Sequence, residues 1–293
     1  GVKETRKFQE AAMKSRLKIP MLFGMDVIHG FRTGFPLPLA EAASFDLEAI
    51  KMGARCSARE AAAAGLHWTF APMVDIGWDA RWGRVMEGAG EDPYYGAKVA
   101  AARVCGLQGD DLSADSTILA CIKHFVGYGA VVAGKDYNSV DMSWGHFANF
   151  YMPPYKAGVE AGAATVMSAF NDFENRPCTG NEDLLRGLLK EKWGFQGFVV
   201  SDWGSVGEMV NHRYAKDPPI RPSWRVWIWR WCRNVMPKTW QIWFAKRKCR
   251  RLCWTMLSAV FWSRNISWAY LTTLSVIAMK NGSVLSSERS GRA

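Results

Sequence analysis

Residues 197–204 read Gly-Phe-Val-Val-Ser-Asp-Trp-Gly, a short apolar run that ends in a carboxylate beside an aromatic ring. Apolar runs of this kind, with no polar alternation, are typical of strands in a parallel sheet whose two faces are both covered. Five such runs occur along the chain, and we predict each as a buried strand: Ile19–Met25, His67–Ala71, Ile118–Ile122, Thr165–Ala169 and Gly197–Val200.

Longer stretches with the apolar spacing of helices separate these runs. A strand followed by a helix, repeated every 35–50 residues or so, predicts an α/β chain. We assign it to a TIM-like (β/α)8 barrel, incomplete at its C-terminal end, with an open doubly wound sheet as the alternative. No G-x-G-x-x-G follows the first strand, which disfavours a dinucleotide site. The predicted helices are Leu47–Ala64, Tyr94–Gln108, Phe147–Ala161 and Glu182–Trp193.

Charge is unevenly distributed along the chain. Residues 1–217 contain 23 basic and 26 acidic residues, whereas residues 218–293 contain 14 basic residues, nine of the 15 tryptophans and one acid, Glu288. The net charge of +10 therefore gives no reason to expect a nucleic-acid partner for the first part, and we expect no membrane partner. We divide the chain here into a barrel domain, 1–217, and an anomalous basic, Trp-rich tail, 218–293.

The tail sustains neither a helical nor a strand period after Pro218. We interpret it as translated out of frame, or otherwise foreign to the fold, and we expect it to pack poorly. The alternative is a segment that binds a membrane surface or a nucleic acid.

Metal and targeting signals are weak. The seven cysteines show no zinc spacing, and Cys249 and Cys253 have no paired histidine, so we expect no metal and no cofactor. No signal peptide is visible. A chain that starts at Gly1 resembles a fragment, so this gives no information about its compartment.

Polar side chains follow the ends of the predicted strands, where a barrel builds its active site. Asp26 ends the first run, Lys123 and His124 the third, and Asp202 the fifth. Each has a structural alternative: Asp202 could cap a helix over 206–210, and Lys123 and His124 could be a rim lysine and a buried histidine with satisfied hydrogen bonds. Lys123 could also be the Schiff-base lysine of an aldolase.

A charged loop precedes the third run. Arg81-Trp82-Gly83-Arg84 leads into Glu87 and then Glu91-Asp92-Pro93. Such a loop is more often a solvated surface held by arginine–carboxylate pairs than a binding site. Trp203 adds an aromatic ring beside Asp202, suited to packing on a sugar.

Six motifs stand along the chain: Phe23–Gly30, Ala71–Asp75, Arg81–Arg84 with Glu91–Pro93, Lys123–Phe125, Tyr151–Tyr155 and Val200–Gly204. In this order and spacing they resemble glycoside hydrolase family 3 over about residues 8–217, with the greatest likeness to the bacterial periplasmic β-glucosidases.

The resemblance implies a retaining exo-β-glucosidase. It would hydrolyse terminal non-reducing β-D-glucosyl residues of a β-glucoside or oligosaccharide through a covalent glycosyl-enzyme, without a cofactor, in the periplasm or outside the cell. Asp202 matches the nucleophile, and Trp203 matches an aromatic that flanks the sugar. Four further residues match those that hydrogen-bond the sugar hydroxyls in subsite −1: Asp26, Arg84, Lys123 and His124.

Some features depart from the family pattern. Phe170 stands where many relatives carry a tyrosine near the nucleophile, and the family's general acid, a glutamate in a second domain, is not in this sequence. We therefore expect little glucosidase activity from the 293-residue chain, and an inactive sugar-binding fragment is the alternative of a different class. Within the family, β-xylosidase is the nearest alternative. A β-N-acetylglucosaminidase is a more distant alternative, because residues 123–129 differ from the Lys-His-Phe-Pro-Gly-His-Gly loop of that branch of the family.

Overall fold

The pairing of the apolar runs defines the sheet. In the computed structural model, which describes residues 1–216 and the backbone of 228–229, strands pair in parallel in the order β3-β4-β7-β8 and β1-β2. Parallel bridges of Trp68 with Leu119 and of Met73 with Lys123 join the two groups. The strands are β1 Gly24–Met25, β2 Trp68–Thr69, β3 Cys121–Phe125, β4 Thr165–Ser168, β5 Asp172–Phe173, β6 Arg176–Pro177, β7 Phe198–Ser201 and β8 Ile228–Trp229.

Helices alternate with these strands, as predicted. The α-helices are α1 Val2–Met13, α2 Pro38–Ala42, α3 Leu47–Ala63, α4 Pro93–Gln108, α5 Trp144–His146, α6 Pro153–Glu160 and α7 Ser205–Asn211. Two π-helical segments, Phe147–Tyr151 and Asp183–Lys192, and short 3-10 turns at Gly83–Glu87, Tyr128–Ala130, Val132–Gly134 and Cys178–Gly180 complete the described part.

Local sequence explains the ends of the long helices. The Asp46 carboxylate accepts the backbone N–H of Ala49 at 2.9 Å and caps α3. Asp92 caps α4 in the same way, through the N–H of Tyr95, and Pro93 occupies the first turn, where its missing N–H costs nothing.

The predicted elements differ from the observed ones mainly at their boundaries. The helix expected over Phe147–Ala161 divides at Pro153, since the ring of a proline removes a helical N–H. The third strand extends to Phe125, so Lys123 and His124 lie within β3 instead of following it. β3 contains the cis peptide bond Lys123–His124, and a second, Phe125–Val126, follows at its end. The antiparallel hairpin of β5 and β6 was not predicted.

The predictions made for residues 218–293 lie outside the described residues, except at one place. The backbone of Ile228–Trp229 pairs in parallel with Val199 and Val200 of β7. The domain boundary after residue 217 stays a prediction.

Gly106 tests the packing of α3 against α4. A Cβ there would lie 2.4 Å from the carbonyl oxygen of Lys51 and 2.7 Å from the Cβ of Ala54. We expect Gly106→Ala to lower the free energy of unfolding by about 1–3 kcal/mol, because backbone cannot yield to a methyl group. Urea unfolding measures it. The matched control is Gly187→Ala, where no atom lies within 4 Å and a gain of about 0.5–1 kcal/mol is expected. Equal effects of the two changes would refute the close approach.

Candidate active site

Side chains from the C-terminal ends of several strands meet at one cavity of about 430 Å³. This volume lies in the range of small-molecule sites. The six residues singled out from the sequence all line it, although they come from four separate segments of the chain. Its lining consists of Asp26, Ile28, Arg84, Glu87, Lys123, His124, Tyr137, Phe170, Asp202 and Trp203.

Asp202 follows β7 and is almost completely buried. Its Oδ1 accepts the backbone N–H of Trp203 at 2.5 Å, whereas no described residue donates a hydrogen bond to Oδ2. Helix α7 begins at Ser205 with Gly204 as its N-cap and without a side-chain capping bond. The helix-capping alternative for Asp202 is therefore wrong, and its carboxylate is available to the cavity.

The cationic side chains of the cavity are paired with carboxylates. The buried Lys123 ammonium lies 2.8 Å from Asp26 Oδ1. Arg84 binds Glu87 through two hydrogen bonds, from Nε at 2.7 Å and from Nη2 at 3.0 Å. Hydrogen-bond donors and acceptors of both pairs therefore line the cavity wall. Because both cations are paired, the wall does not favour a ligand that binds through an unpaired positive charge.

The two arginines of the charged loop, Arg81 and Arg84, differ: one lies on the solvated surface and the other lines the cavity. Arg81 pairs with Asp79 at 2.6 Å on the exposed surface, as expected of a solvated loop. Arg84, three residues later, faces the cavity.

His124 is fully buried between two carboxylates. Asp75 Oδ2 accepts its backbone N–H at 3.0 Å and lies 2.9 Å from its Nδ1. Its Nε2 lies 3.3 Å from Asp202 Oδ2. The interpretation as a satisfied buried histidine thus describes only the Nδ1 side of the ring, since the Nε2 side faces the candidate nucleophile.

Burial controls the protonation of Asp75 and His124. It raises the pKa of Asp75 to about 6, although hydrogen bonds from Tyr155 and from the N–H of His124 lower it. Burial also holds the pKa of His124 well below its usual value, and the positive charge of Arg84 acts in the same direction. The imidazole is therefore neutral at neutral pH.

The Arg84–Glu87 pair stays charged despite its burial. Burial opposes the charge on Arg84, but the hydrogen bonds and charge of Glu87 outweigh it and raise the pKa of the guanidinium. Burial likewise opposes the charge on Glu87, and Arg84 outweighs it, so the pKa of Glu87 is lowered.

Tyr137, a half-exposed aromatic of the cavity wall, was not predicted from the sequence. Its ring lies 4.5 Å from that of Phe170, and its backbone has φ 65°, in the left-handed region that bulky residues rarely adopt. The neighbouring Asp136 fixes it there, because its carboxylate accepts the indole N–H of Trp82 at 3.0 Å and the hydroxyl of Tyr128. The stretch of residues 134–138, rich in turn formers, was the one signal in the sequence.

The described residues contain neither a candidate metal cluster nor a candidate membrane span. Among them, no cluster of three or more His, Cys, Asp or Glu side chains could hold a metal ion. Their helices are also too short or too polar to cross a membrane.

The cavity at the strand ends of this parallel α/β sheet combines a carboxylate with an unbonded oxygen, paired charges and aromatic rings. Residues 2–219 match the family model described as Glycosyl hydrolase family 3 N terminal domain, and the chain belongs to that family. The family predicted from the sequence motifs is confirmed.

Curated relatives carry related names. The chain is 46% identical over 216 residues to the "Periplasmic beta-glucosidase" of Salmonella typhimurium, an alignment of 73% of this chain and 28% of that protein. It is 37% identical over 222 residues to a "Beta-xylosidase" of Formosa agariphila, across 71% and 31% of the two chains. The chain thus spans less than a third of the length of these relatives.

Solved structures agree with the fold. The β-glucosidase from Listeria innocua in complex with isofagomine superposes with a TM-score of 0.83 at 35% identity, over 99% of this chain and 40% of that one. The exo-1,3/1,4-beta-glucanase from Pseudoalteromonas superposes with a TM-score of 0.66 at 35% identity, over 70% and 27%. The α/β barrel predicted for the chain is confirmed.

Asp75 gives the site a pH signature in stability. Its pKa of 3.8 when unfolded rises to about 6 when folded, so the folded chain binds the extra proton between these values. Stability contributed by this group therefore falls as the pH rises through that window, by about 3 kcal/mol. We expect Asp75→Asn to remove this slope, measured by urea unfolding of both proteins from pH 4 to pH 7.

The pH slope of the original chain alone does not isolate Asp75, because His67 changes the stability with pH in the opposite direction. Burial lowers the pKa of His67 from 6.5 to about 4, so its contribution is lost as the pH falls. Identical pH slopes for the original chain and Asp75→Asn would contradict the buried, weakly acidic state of Asp75.

Proposed function

We propose that residues 1–217 belong to the catalytic barrel domain of a retaining exo-β-glucosidase, with Asp202 as the nucleophile. The observation that carries the proposal is the buried Asp202, which lines a cavity of suitable size and whose Oδ2 no described residue hydrogen-bonds. Relatives support the substrate class, since the Listeria innocua β-glucosidase has been solved in complex with laminaribiose and with glucose.

The reaction has two displacements. Asp202 Oδ2 attacks the anomeric carbon, the bond to the leaving oxygen breaks with its electron pair, and an acid protonates that oxygen. A water molecule then attacks the glycosyl ester, its proton passes to the conjugate base of the acid, and the Asp202 carboxylate is released. The family resemblance implies an acid/base in a second domain, so no described residue is given this role.

The cavity wall suits a neutral sugar. A glucosyl unit offers hydroxyl groups, and charged donors and acceptors make the strongest hydrogen bonds to them. Asp26 and Lys123 would bind neighbouring hydroxyls from one ion pair, Arg84 and His124 would bind others, and Trp203 would flank the ring. The pairing of Lys123 with Asp26 at 2.8 Å disfavours the aldolase alternative, which requires a neutral, accessible amine.

Two substrate classes are considered within the family, β-glucosides and β-xylosides. We propose glucose, following the 46% identical relative, with β-xylosidase as the alternative favoured by the Formosa agariphila relatives. The name of the Salmonella relative also supports a periplasmic or secreted location.

The nucleophile can be identified in the 293-residue chain by trapping. With dinitrophenyl 2-deoxy-2-fluoro-β-glucoside the leaving group departs without an acid, and the fluorine slows hydrolysis of the ester. We expect mass spectrometry of peptides to find one glycosyl label, on Asp202, and Asp202→Asn to abolish it without changing the near-UV circular dichroism. A label on Glu87 or Asp26 would overturn the assignment.

Ordinary turnover should be poor and should respond to azide. The other cavity carboxylates of the described chain, Asp26 and Glu87, are both ion-paired and are poor proton donors. We expect a burst with dinitrophenyl β-glucoside, then slow release that azide accelerates, because an anionic nucleophile needs no base. The product should be β-glucosyl azide. Efficient hydrolysis of nitrophenyl β-glucoside without azide, lost in Asp202→Asn, would show that the chain contains its own acid.

A further inference from the structure

A chain of four buried groups leads from helix α6 to the candidate nucleophile. The Tyr155 hydroxyl contacts Asp75 Oδ1 and lies 2.5 Å from the carbonyl oxygen of His124. Asp75 Oδ2 holds the backbone and the ring of His124, and the far side of that ring faces Asp202. Neither Asp75 nor Tyr155 lines the cavity, so their hydrogen bonds reach the site through His124.

The contacts decide which nitrogen of His124 carries the proton. Asp75 Oδ2 is an acceptor, since it already receives the backbone N–H of His124 at 3.0 Å. The Nδ1 atom, 2.9 Å from the same oxygen, must therefore be the donor. A neutral imidazole has a single N–H, so Nε2 presents a lone pair to the cavity.

This placement keeps a donor away from the unbonded oxygen of Asp202. Nε2 lies 3.3 Å from Asp202 Oδ2, so a histidine protonated at Nε2 would hold its N–H beside that oxygen. With the proton on Nδ1 there is no such donor, and Oδ2 receives no hydrogen bond from the described residues. Buried polar atoms without a partner are rare and call for a reason.

We propose that Asp75 is a positioning residue that holds the proton of His124 on Nδ1, which keeps Asp202 Oδ2 free to attack and makes Nε2 an acceptor for a sugar hydroxyl. The proposal rests on the proposed role of Asp202. Tyr155 anchors Asp75 from the opposite side, because its ring is fully buried and its hydroxyl bridges Asp75 and the His124 carbonyl.

Other charged groups near the imidazole do not supply a competing partner for Nδ1. Arg84, Lys123 and Glu87 act on His124 through their charge alone, and Tyr128 meets its ring edge-on with centroids 5.1 Å apart. Asp75 is thus the group that contacts Nδ1 among the described residues.

The first test reads the tautomer directly. Long-range ¹H–¹⁵N spectra of the ¹⁵N-labelled 293-residue chain at pH 7 report the protonated nitrogen of each of its five histidines, and His124→Gln identifies the signal of His124. We expect neutral His124 with its proton on Nδ1. A proton on Nε2, or a doubly protonated ring, would overturn the proposal without any assumption about activity.

The second test measures the consequence for attack. We expect Asp75→Ala to move the proton to Nε2 and to slow labelling of Asp202 by the fluoroglucoside roughly ten- to a hundredfold, the effect of a new hydrogen bond to a charged group. The main change should be in the limiting rate, with a smaller change in the concentration for half-maximal labelling. Asp75→Asn is the matched control, because its amide oxygen can still accept both N–H groups, and it should label within about threefold of the original chain.

The outcomes separate the two proposals. Absence of labelling on Asp202 in the original chain defeats the proposed nucleophile, whatever the tautomer. If the original chain is labelled on Asp202 and the variants Asp75→Ala and Asp75→Asn are labelled at equal rates, the proposed role of Asp75 is wrong. Near-UV circular dichroism checks that both variants fold. If Asp75→Ala does not fold, the tautomer of His124 in the original chain decides whether Asp75 holds the proton on Nδ1.

Discussion

The parallel pairing of β4 with β7 is the constraint on which the site depends. Thr165 to Ser168 pair residue for residue with Phe198 to Ser201, so both strands end at the same level. A buried chain of hydroxyls continues from there, since Ser168 and Ser205 each lie within 3.0 Å of Thr179 Oγ1. This chain ties the end of β4 to the start of α7, and the turn between β7 and α7 carries Asp202. The position of the carboxylate is therefore fixed by backbone register and by buried hydrogen bonds.

The charges around that carboxylate are nearly balanced within the protein. Burying an unpaired ion costs far more than burying a hydrogen-bonded pair. Lys123 with Asp26 and Arg84 with Glu87 meet this condition, and they still present polar atoms to the cavity. A neutral ligand rich in hydroxyls can exchange hydrogen bonds with such a wall without leaving a charge unpaired. An anionic ligand would have to compete with the carboxylates already there.

The sequence predicted the strands of the barrel and the residues at their ends better than it predicted contacts. Apolar runs mark buried strands directly, and placing polar residues at strand ends requires only chain order. The proton chain through Asp75 could not be predicted, because it joins residues 49 and 80 positions apart whose contact depends on three-dimensional packing. Tyr137 was missed for another reason: a positive φ at a bulky residue is imposed by tertiary contacts, here those of Asp136. Strand boundaries shifted by a few residues because apolar character continues beyond the hydrogen-bonded ladder, as at β1.

A nucleophilic carboxylate must satisfy two opposing requirements. It needs positive charge nearby to tolerate burial, but a hydrogen bond donated to its attacking oxygen would hold the lone pairs that must reach the anomeric carbon. Here the two are separated in space. The charge of Arg84 acts on Asp202 without a hydrogen bond between them, and the N–H of Trp203 binds the other oxygen, Oδ1. The His124 ring approaches Oδ2 to 3.3 Å, and its Nδ1 is engaged by Asp75. Stabilisation by charge at a distance, with donors kept from Oδ2 in the described part of the chain, leaves that oxygen both buried and reactive.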